Sequence, residues 1–310
     1  MGKTAFLFPG QGAQSVGMGR DLVDCGGASA KFIASVDEVL GFSLTDIMFN
    51  GPAETLTLTE NTQPALVTTA LAVFLLVQEK TGFKPDYVAG HSLGEYAAIS
   101  AAGGFDPLEA VRLVRLRGEA MRSAVPPGEG SMAAMLNMDA QLVTEVCQEA
   151  ERITSGVCVP ANYNTSAQIV ISGHKYAVDQ ALALAKDRGA KRCIPLAVSA
   201  PFHCPLMAPA AAKMAEVLAK TQISDLSIPL VANVTARECS GAAQVEKQLV
   251  EQITGAVRWE ESIQRLVELG VDTFVELGTG KVLSGMMKRI DKSVKAITIN
   301  GPQDLDKLTV

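Results

Sequence analysis

The stretch DYVAGHSLGEYAAISAA at 86–102 reads as a short apolar strand, a tight turn and a helix. Its turn, Gly90-His91-Ser92-Leu93-Gly94, fits GxSxG, the signature in which a serine stands on a sharp strand-to-helix elbow. The two glycines let the backbone crowd there. Such an elbow aims the first amides of the helix at whatever Ser92 attacks, so the Leu93 N–H is a ready oxyanion donor. A serine that merely caps an ordinary strand-to-helix turn would leave the same local sequence. The nucleophile reading therefore needs partners elsewhere in the chain.

On either side of this elbow, strand-like and helix-like segments alternate almost throughout. Strands are predicted at 4–8, 87–89, 230–232 and 273–277, and helices at 66–79, 93–102, 107–123, 206–220 and 260–269. Alternation of this kind predicts an α/β fold, hydrolase-like, with a mostly parallel sheet. At PPGEG, residues 126–130, the order changes. Strand, helix, two strands around the turn-rich NYNTSA, helix and strand follow at 132–136, 139–152, 157–161, 168–172, 175–188 and 192–197. That is the β-α-β-β-α-β order of a ferredoxin-like unit. The expected organisation is a large α/β catalytic domain from 1–126 and 198–310, with a small ferredoxin-like subdomain at 127–197 inserted into it.

The 310 residues are 48% hydrophobic and 19% charged, which excludes disorder and coiled coil. A net charge of −6 supplies no global field for nucleic acid or an anionic membrane, and neither is an expected partner. Six scattered cysteines without CxxC or zinc spacing read as reduced thiols. The apolar run at the start is too short for a signal peptide, and the longest apolar stretch, 64–77, is too short to span a membrane. The chain is thus expected to be cytoplasmic. Two phosphate-loop resemblances fail: Ser15 stands at the third glycine of GxGxxG after Gly10 and Gly12, and Gly278-Thr279-Gly280-Lys281 has Val275 and Val282 where the motif needs Gly and Ser or Thr. His91, His174 and His203 have no partner at i,i+4 and no carboxylate cluster, so no metal site is expected.

A serine nucleophile needs a base, and only three histidines exist. His91 adjoins Ser92 on the elbow and would point away from it, and His174 opens a helix of the small unit as an exposed cap-region residue. His203 lies in SAPFHCPLM at 199–207, a stretch made rigid by Pro201 and Pro205, and is the remaining choice. In the helix 107–123, Ala110, Leu113, Val114 and Met121 form an apolar stripe, and Arg117 falls within it. A guanidinium on a buried face stays charged and needs an anion, which its fork can hold at two points. That anion is either an internal Asp or Glu or the free acid of a bound acyl group.

Taken together these stretches resemble the malonyl-CoA:acyl carrier protein transacylase family, the free-standing acyltransferases of fatty-acid and polyketide synthesis. The resemblance runs through FPGQGAQ at 8–14, GMG at 17–19, TQPAL at 62–66, GHSLGEY at 90–96, RLRGEAM at 115–121, NYN at 162–164, APFHCPLM at 200–207, LVEQ at 249–252 and ELGTGKVL at 276–283. It implies Ser92 as the acyl nucleophile, His203 as its base, Arg117 as the clamp on the malonyl carboxylate, and the N–H groups of Gln11 and Leu93 as the oxyanion hole. It also implies that the backbone carbonyl of Gln252, rather than an Asp, orients the histidine, and that Gln63 lines the pocket. Phe202 would fill the space of an α-methyl group, as in related acyltransferases that choose malonyl over methylmalonyl. Two positions depart from the family's habit, Ser166-Ala167 after the NYN turn and Cys204 after the base, and no chemistry is assigned to either.

The implied reaction is ping-pong transfer of malonyl from malonyl-CoA through a malonyl-Ser92 ester to the phosphopantetheine thiol of acyl carrier protein, with no metal or organic cofactor. A GxSxG hydrolase is the alternative, and a non-catalytic carrier-binding module a third. An acidic carrier would need a local basic surface, for which Lys186, Arg188, Lys191 and Arg192, or Lys288, Arg289 and Lys292, qualify.

Overall fold

The computed structural model describes residues 2–308. In chain order β1 (Lys3–Phe8) leads through α1 (Arg20–Asp24), α2 (Gly27–Leu40), α3 (Leu44–Asn50), α4 (Ala53–Thr57) and α5 (Thr59–Thr81) to β2 (Tyr87–Gly90), α6 (Gly94–Ala101) and α7 (Pro107–Ser123). Next come β3 (Gly130–Leu136), α8 (Ala140–Thr154), β4 (Cys158–Thr165), β5 (Gln168–His174), α9 (Lys175–Asp187) and β6 (Arg192–Pro195). The chain finishes with α10 (Ala208–Leu218), β7 (Leu230–Val231), β8 (Glu238–Cys239), α11 (Ala242–Thr254), α12 (Trp259–Glu268), β9 (Val271–Leu277), α13 (Val282–Ile290) and β10 (Lys295–Ile299).

Six strands form one sheet in the order β10-β9-β1-β2-β7-β8, parallel except where the short β8 turns back on β7. Both faces are covered, as continuous apolar strands of a parallel sheet require. Phe6, Phe8 and Val275 face the core that contains α2, α5 and α7, whereas Ala5, Leu7 and Phe274 pack against Trp259, Ile263 and Leu266 of α12 and Met287 of α13. The second sheet, β4-β5-β3-β6, is antiparallel, and β3-α8-β4-β5-α9-β6 is the ferredoxin-like order read from the sequence. Ala133 and Met135 face α8 and α9, and the alternate Met132 and Ala134 face the main core.

Three local expectations are corrected. The helix expected at 66–79 begins at Thr59 and carries Pro64 inside it. Pro64 has no N–H for the Glu60 carbonyl, and Arg115 Nη1 donates to that oxygen instead at 2.9 Å. This helix is long and apolar enough to cross a membrane, yet most of it is buried in the protein core. NYN, expected in a turn, belongs to β4: the turn is confined to Ser166-Ala167, because Asn162 and Tyr163 pair with Val170 and Ile169 and Tyr163 N–H also reaches the Val257 carbonyl at 2.9 Å. His174, expected to be exposed, is half-buried and accepts the Val157 N–H at 2.9 Å.

Candidate active site

β1 and β2 run side by side, with Phe8 opposite Gly90, so their following loops emerge together at the carboxyl edge of the sheet, where ligands of open α/β sheets bind. The elbow is forced by close packing. A Cβ on Gly90 would lie 2.0 Å from the Gly94 carbonyl carbon, and one on Gly94 would lie 2.2 Å from the Phe8 carbonyl oxygen. Only glycine allows the helix to start that near the strands. Ser92 between them is held at φ +53°, a conformation that costs a non-glycine residue about 1–2 kcal/mol. The surrounding hydrogen bonds hold it there: Asn233 Oδ1 accepts the Ser92 N–H at 2.8 Å, and Asn233 Nδ2 donates to the Gly90 carbonyl at 2.7 Å.

Ser92 Oγ lies 2.7 Å from His203 Nε2. His203 Nδ1 lies 2.8 Å from the Gln252 carbonyl oxygen, which can only accept. The proton therefore sits on Nδ1, and the Nε2 lone pair faces the serine. Burial and then the Arg117 charge push the imidazole down to about 3, so it rests neutral. A backbone carbonyl, not a carboxylate, thus partners Nδ1.

Arg117 is 2% exposed. Its Nη1 donates to Gln63 Oε1 at 2.7 Å, and its Nη2 to Gln252 Oε1 at 2.8 Å and to Ser92 Oγ at 3.2 Å. Gly118, where a Cβ would meet the Glu60 Cα at 2.8 Å, lets α7 settle onto α5 and brings Gln63 within this reach. Among the described residues no carboxylate forms an ion pair with Arg117, and its Nε has no partner. The internal salt bridge that the sequence left open is absent at this position. What the fold presents instead is a cation with no anion in contact, beside the Ser92 hydroxyl.

These groups open into a cleft of about 370 Å³ between the two sheets, which Gln11, Gln63, Ser92, Leu93, Phe202 and His203 all line. Among the described residues the Gln11 and Leu93 N–H groups bond to no protein acceptor. Met132, Val170 and Leu196–Val198 form one wall, and Val282, Leu283 and Met286 the lip opposite. All eight site residues read from the sequence thus converge, seven on the cleft itself and Gln252 directly behind it.

Sequence reading missed Asn233, Glu95 and the pair His91–Asn164. His91 is turned from Ser92 as expected, but it is fixed rather than free: Nε2 meets Asn164 Oδ1 at 2.8 Å and the ring stacks edge-on against Trp259. Cys204 donates to the Pro201 carbonyl at 3.1 Å and is fully buried, a packing part of the histidine loop.

Comparison with known proteins identifies the family and the fold. The acyl transferase domain family matches residues 5–302. The chain is 47% identical over 306 residues to the malonyl CoA-acyl carrier protein transacylase of Bacillus subtilis (strain 168), covering 99% of this chain and 96% of that one. It is 42% identical over 302 residues to the enzyme of that name from Escherichia coli (strain K12), covering 97% of each. The crystal structure of an acyl carrier protein S-malonyltransferase from Vibrio cholerae superposes with a TM-score of 0.95 at 39% identity, covering 99% of both chains. A malonyl-transacylase in complex with a type II PKS acyl-carrier protein matches with a TM-score of 0.95 at 40% identity, over 98% of both.

Proposed function

The chain belongs to the acyl transferase family, within it to the malonyl CoA-acyl carrier protein transacylases, and from that premise we propose how its cleft carries out malonyl transfer. The observation that carries the reading is the 3.2 Å between Arg117 Nη2 and Ser92 Oγ. In a malonyl thioester the free carboxyl carbon lies two bonds from the carbon under attack, so a guanidinium must stand next to the nucleophile to hold it. A longer diacid would carry its carboxylate past this position, and a monocarboxylic acyl group would leave the cation unpaired.

Ser92 Oγ gives its proton to His203 Nε2 and attacks the thioester carbonyl carbon. The Gln11 and Leu93 N–H groups receive the oxyanion, Leu93 from the start of α6. Collapse breaks the carbon–sulfur bond, the imidazolium returns its proton to the departing CoA thiolate, and a malonyl-Ser92 ester remains. The phosphopantetheine thiol of acyl carrier protein then gives its proton to His203, attacks the ester and restores Ser92. His203 Nδ1 keeps its proton throughout and donates it to the Gln252 carbonyl, which stabilises the imidazolium by accepting that hydrogen bond. Phe202, on the cleft wall next to the base, crowds the space beside the malonyl methylene and disfavours an α-branched acyl group. The product feeds malonyl units to fatty-acid or polyketide assembly.

Intact-mass measurement after mixing with malonyl-CoA should show one malonyl adduct that maps to Ser92, absent in Ser92→Ala. Holo acyl carrier protein should discharge it quickly and water slowly. An unmodified wild-type mass under single-turnover conditions would refute transfer, and rapid loss to water alone would make the protein a hydrolase.

A further inference from the structure

The mechanism gives no task to the buried acid that lies beside its catalytic groups. Glu95, one turn into α6 from Ser92, is 1% exposed and makes no ion pair within bonding distance among the described residues. Its Oε1 accepts the Asn233 N–H at 2.9 Å, and its Oε2 accepts from Gln252 Nε2. The same Gln252 NH2 group donates to the Ser92 carbonyl at 2.9 Å. The Ser92 carbonyl only accepts, as does the Glu95 oxygen when ionised, so the NH2 faces them and Gln252 Oε1 is left pointing at Arg117.

We propose that Glu95 is a positioning residue for the acid clamp: its carboxylate orients the Gln252 amide so that Arg117 is held by neutral oxygens and keeps its charge for the carboxylate of the substrate. The arrangement separates two requirements that a direct ion pair would set against each other. A carboxylate in contact with Arg117 would compete with malonyl for the guanidinium. Placed one amide away, it still favours the buried cation electrostatically while leaving the fork open. This inference rests on the malonyl reading of the cleft.

The arrangement has a proton dependence. Burial pushes the Glu95 carboxyl up to about 7, against the opposing pull of the Asn233 and Gln252 hydrogen bonds and of Arg117. The ionisable groups around it are Arg117 from α7, Tyr96 beside it on α6 and Cys239 from β8. Burial raises Tyr96 to about 12 and Cys239 to about 11, so both stay neutral near pH 7; burial also lowers Arg117, with Tyr96 and Glu95 opposing, but a guanidinium is too basic to lose its proton there. Once protonated, Glu95 accepts poorly from Gln252, and the clamp loosens.

The test compares wild type, Glu95→Gln and the exchange Glu95→Gln/Gln252→Glu in transfer from malonyl-CoA and from acetyl-CoA across pH 5.5–8.5, with thermal unfolding of each. Glu95→Gln keeps size and leaves an amide oxygen for the Asn233 N–H, but sets NH2 against the Gln252 NH2. Relieving that clash turns the Gln252 NH2 toward Arg117. Malonyl kcat/KM should fall about 10- to 100-fold, chiefly through KM, and acetyl by no more than about threefold, the scale of one hydrogen bond to a charged group lost for one substrate only. The wild-type decline in malonyl kcat/KM below about pH 7 should disappear in the variant. The exchange puts a carboxylate on Arg117 itself and should restore the melting temperature without restoring malonyl transfer. Equal losses for both acyl groups, unchanged malonyl kinetics, a persisting pH limb, or recovery of malonyl transfer in the exchange would each overturn the proposal. If Glu95→Gln fails to fold, the wild-type profile decides: an acid limb confined to malonyl supports it, and a limb shared with acetyl overturns it. No malonyl adduct on wild-type Ser92 would overturn the transfer reading itself, and this proposal with it.

Discussion

Arg117→Ala should convert a malonyl-selective transferase into one that favours a monocarboxylic acyl group. The guanidinium is bonded only to the neutral oxygens of Gln63, Gln252 and Ser92, so a substrate carboxylate would be its first anionic contact. Removing one member of a buried charged pair costs about 2–5 kcal/mol, most of it the penalty of leaving the other member unpaired. At about 1.4 kcal/mol per factor of ten, that is roughly 30-fold to several thousand-fold in kcat/KM for malonyl-CoA. Acetyl-CoA has no carboxylate to strand. It also meets a better base, because after burial itself the Arg117 charge is the next cause that holds His203 near 3, and the substitution removes it. Acetyl transfer should therefore hold its rate or gain. The assay is steady-state transfer from both thioesters to one carrier protein, with unfolding curves to show that the pocket survives. Arg117→Lys keeps the charge but not the two-point fork and should fall between wild type and Arg117→Ala for malonyl. Equal losses for the two acyl groups would refute the clamp and make Arg117 a structural residue.

Ser92 at φ +53° predicts that Ser92→Gly is more stable to urea than Ser92→Ala by about 1–2 kcal/mol, although both lose acylation; equal stabilities would mean the elbow is unstrained. His203, near 6.5 when unfolded and about 3 when folded, takes up a proton only in the unfolded chain between those values, so its contribution to stability is intact above pH 6.5 and is lost as pH falls toward 3. At about 1.4 kcal/mol per pH unit, the stability of wild type relative to His203→Asn should drop by about 2 kcal/mol between pH 7 and 5, and a constant difference would contradict a neutral imidazole. Lys191, just before β6, and Arg192, its first residue, are exposed, and the continuation of β6, Leu196–Val198, lines the cleft; Lys288 and Arg289 are exposed on α13, whose first turns form the opposite lip. Reversing either pair to Glu should raise KM for an acidic carrier protein and weaken its salt dependence while Ser92 acylation stays near wild type; unchanged carrier kinetics in both would place docking elsewhere.

What the chain settled by itself is local. GxSxG between an apolar strand and a helix is a short-range pattern, and its glycines were legible because backbone crowding leaves a mark in consecutive residues. Periodicity marked Arg117 as buried and the order of elements after PPGEG as ferredoxin-like, since both follow from which residues repeat on one face. Periodicity reports that a face is covered, however, and not by what. Whether Arg117 meets an internal acid or waits for a ligand depended on Gln63, 54 residues before it, and Gln252, 135 residues after it, meeting across the core. Glu95 and Asn233, 138 positions apart, make a network that no spacing announces, and the carbonyl that Pro64 orphans inside its helix is taken by Arg115 arriving from α7. Hydrogen bonds between distant segments are selected by packing, so buried polar partners become identifiable only once the sheet and its helices have brought them together.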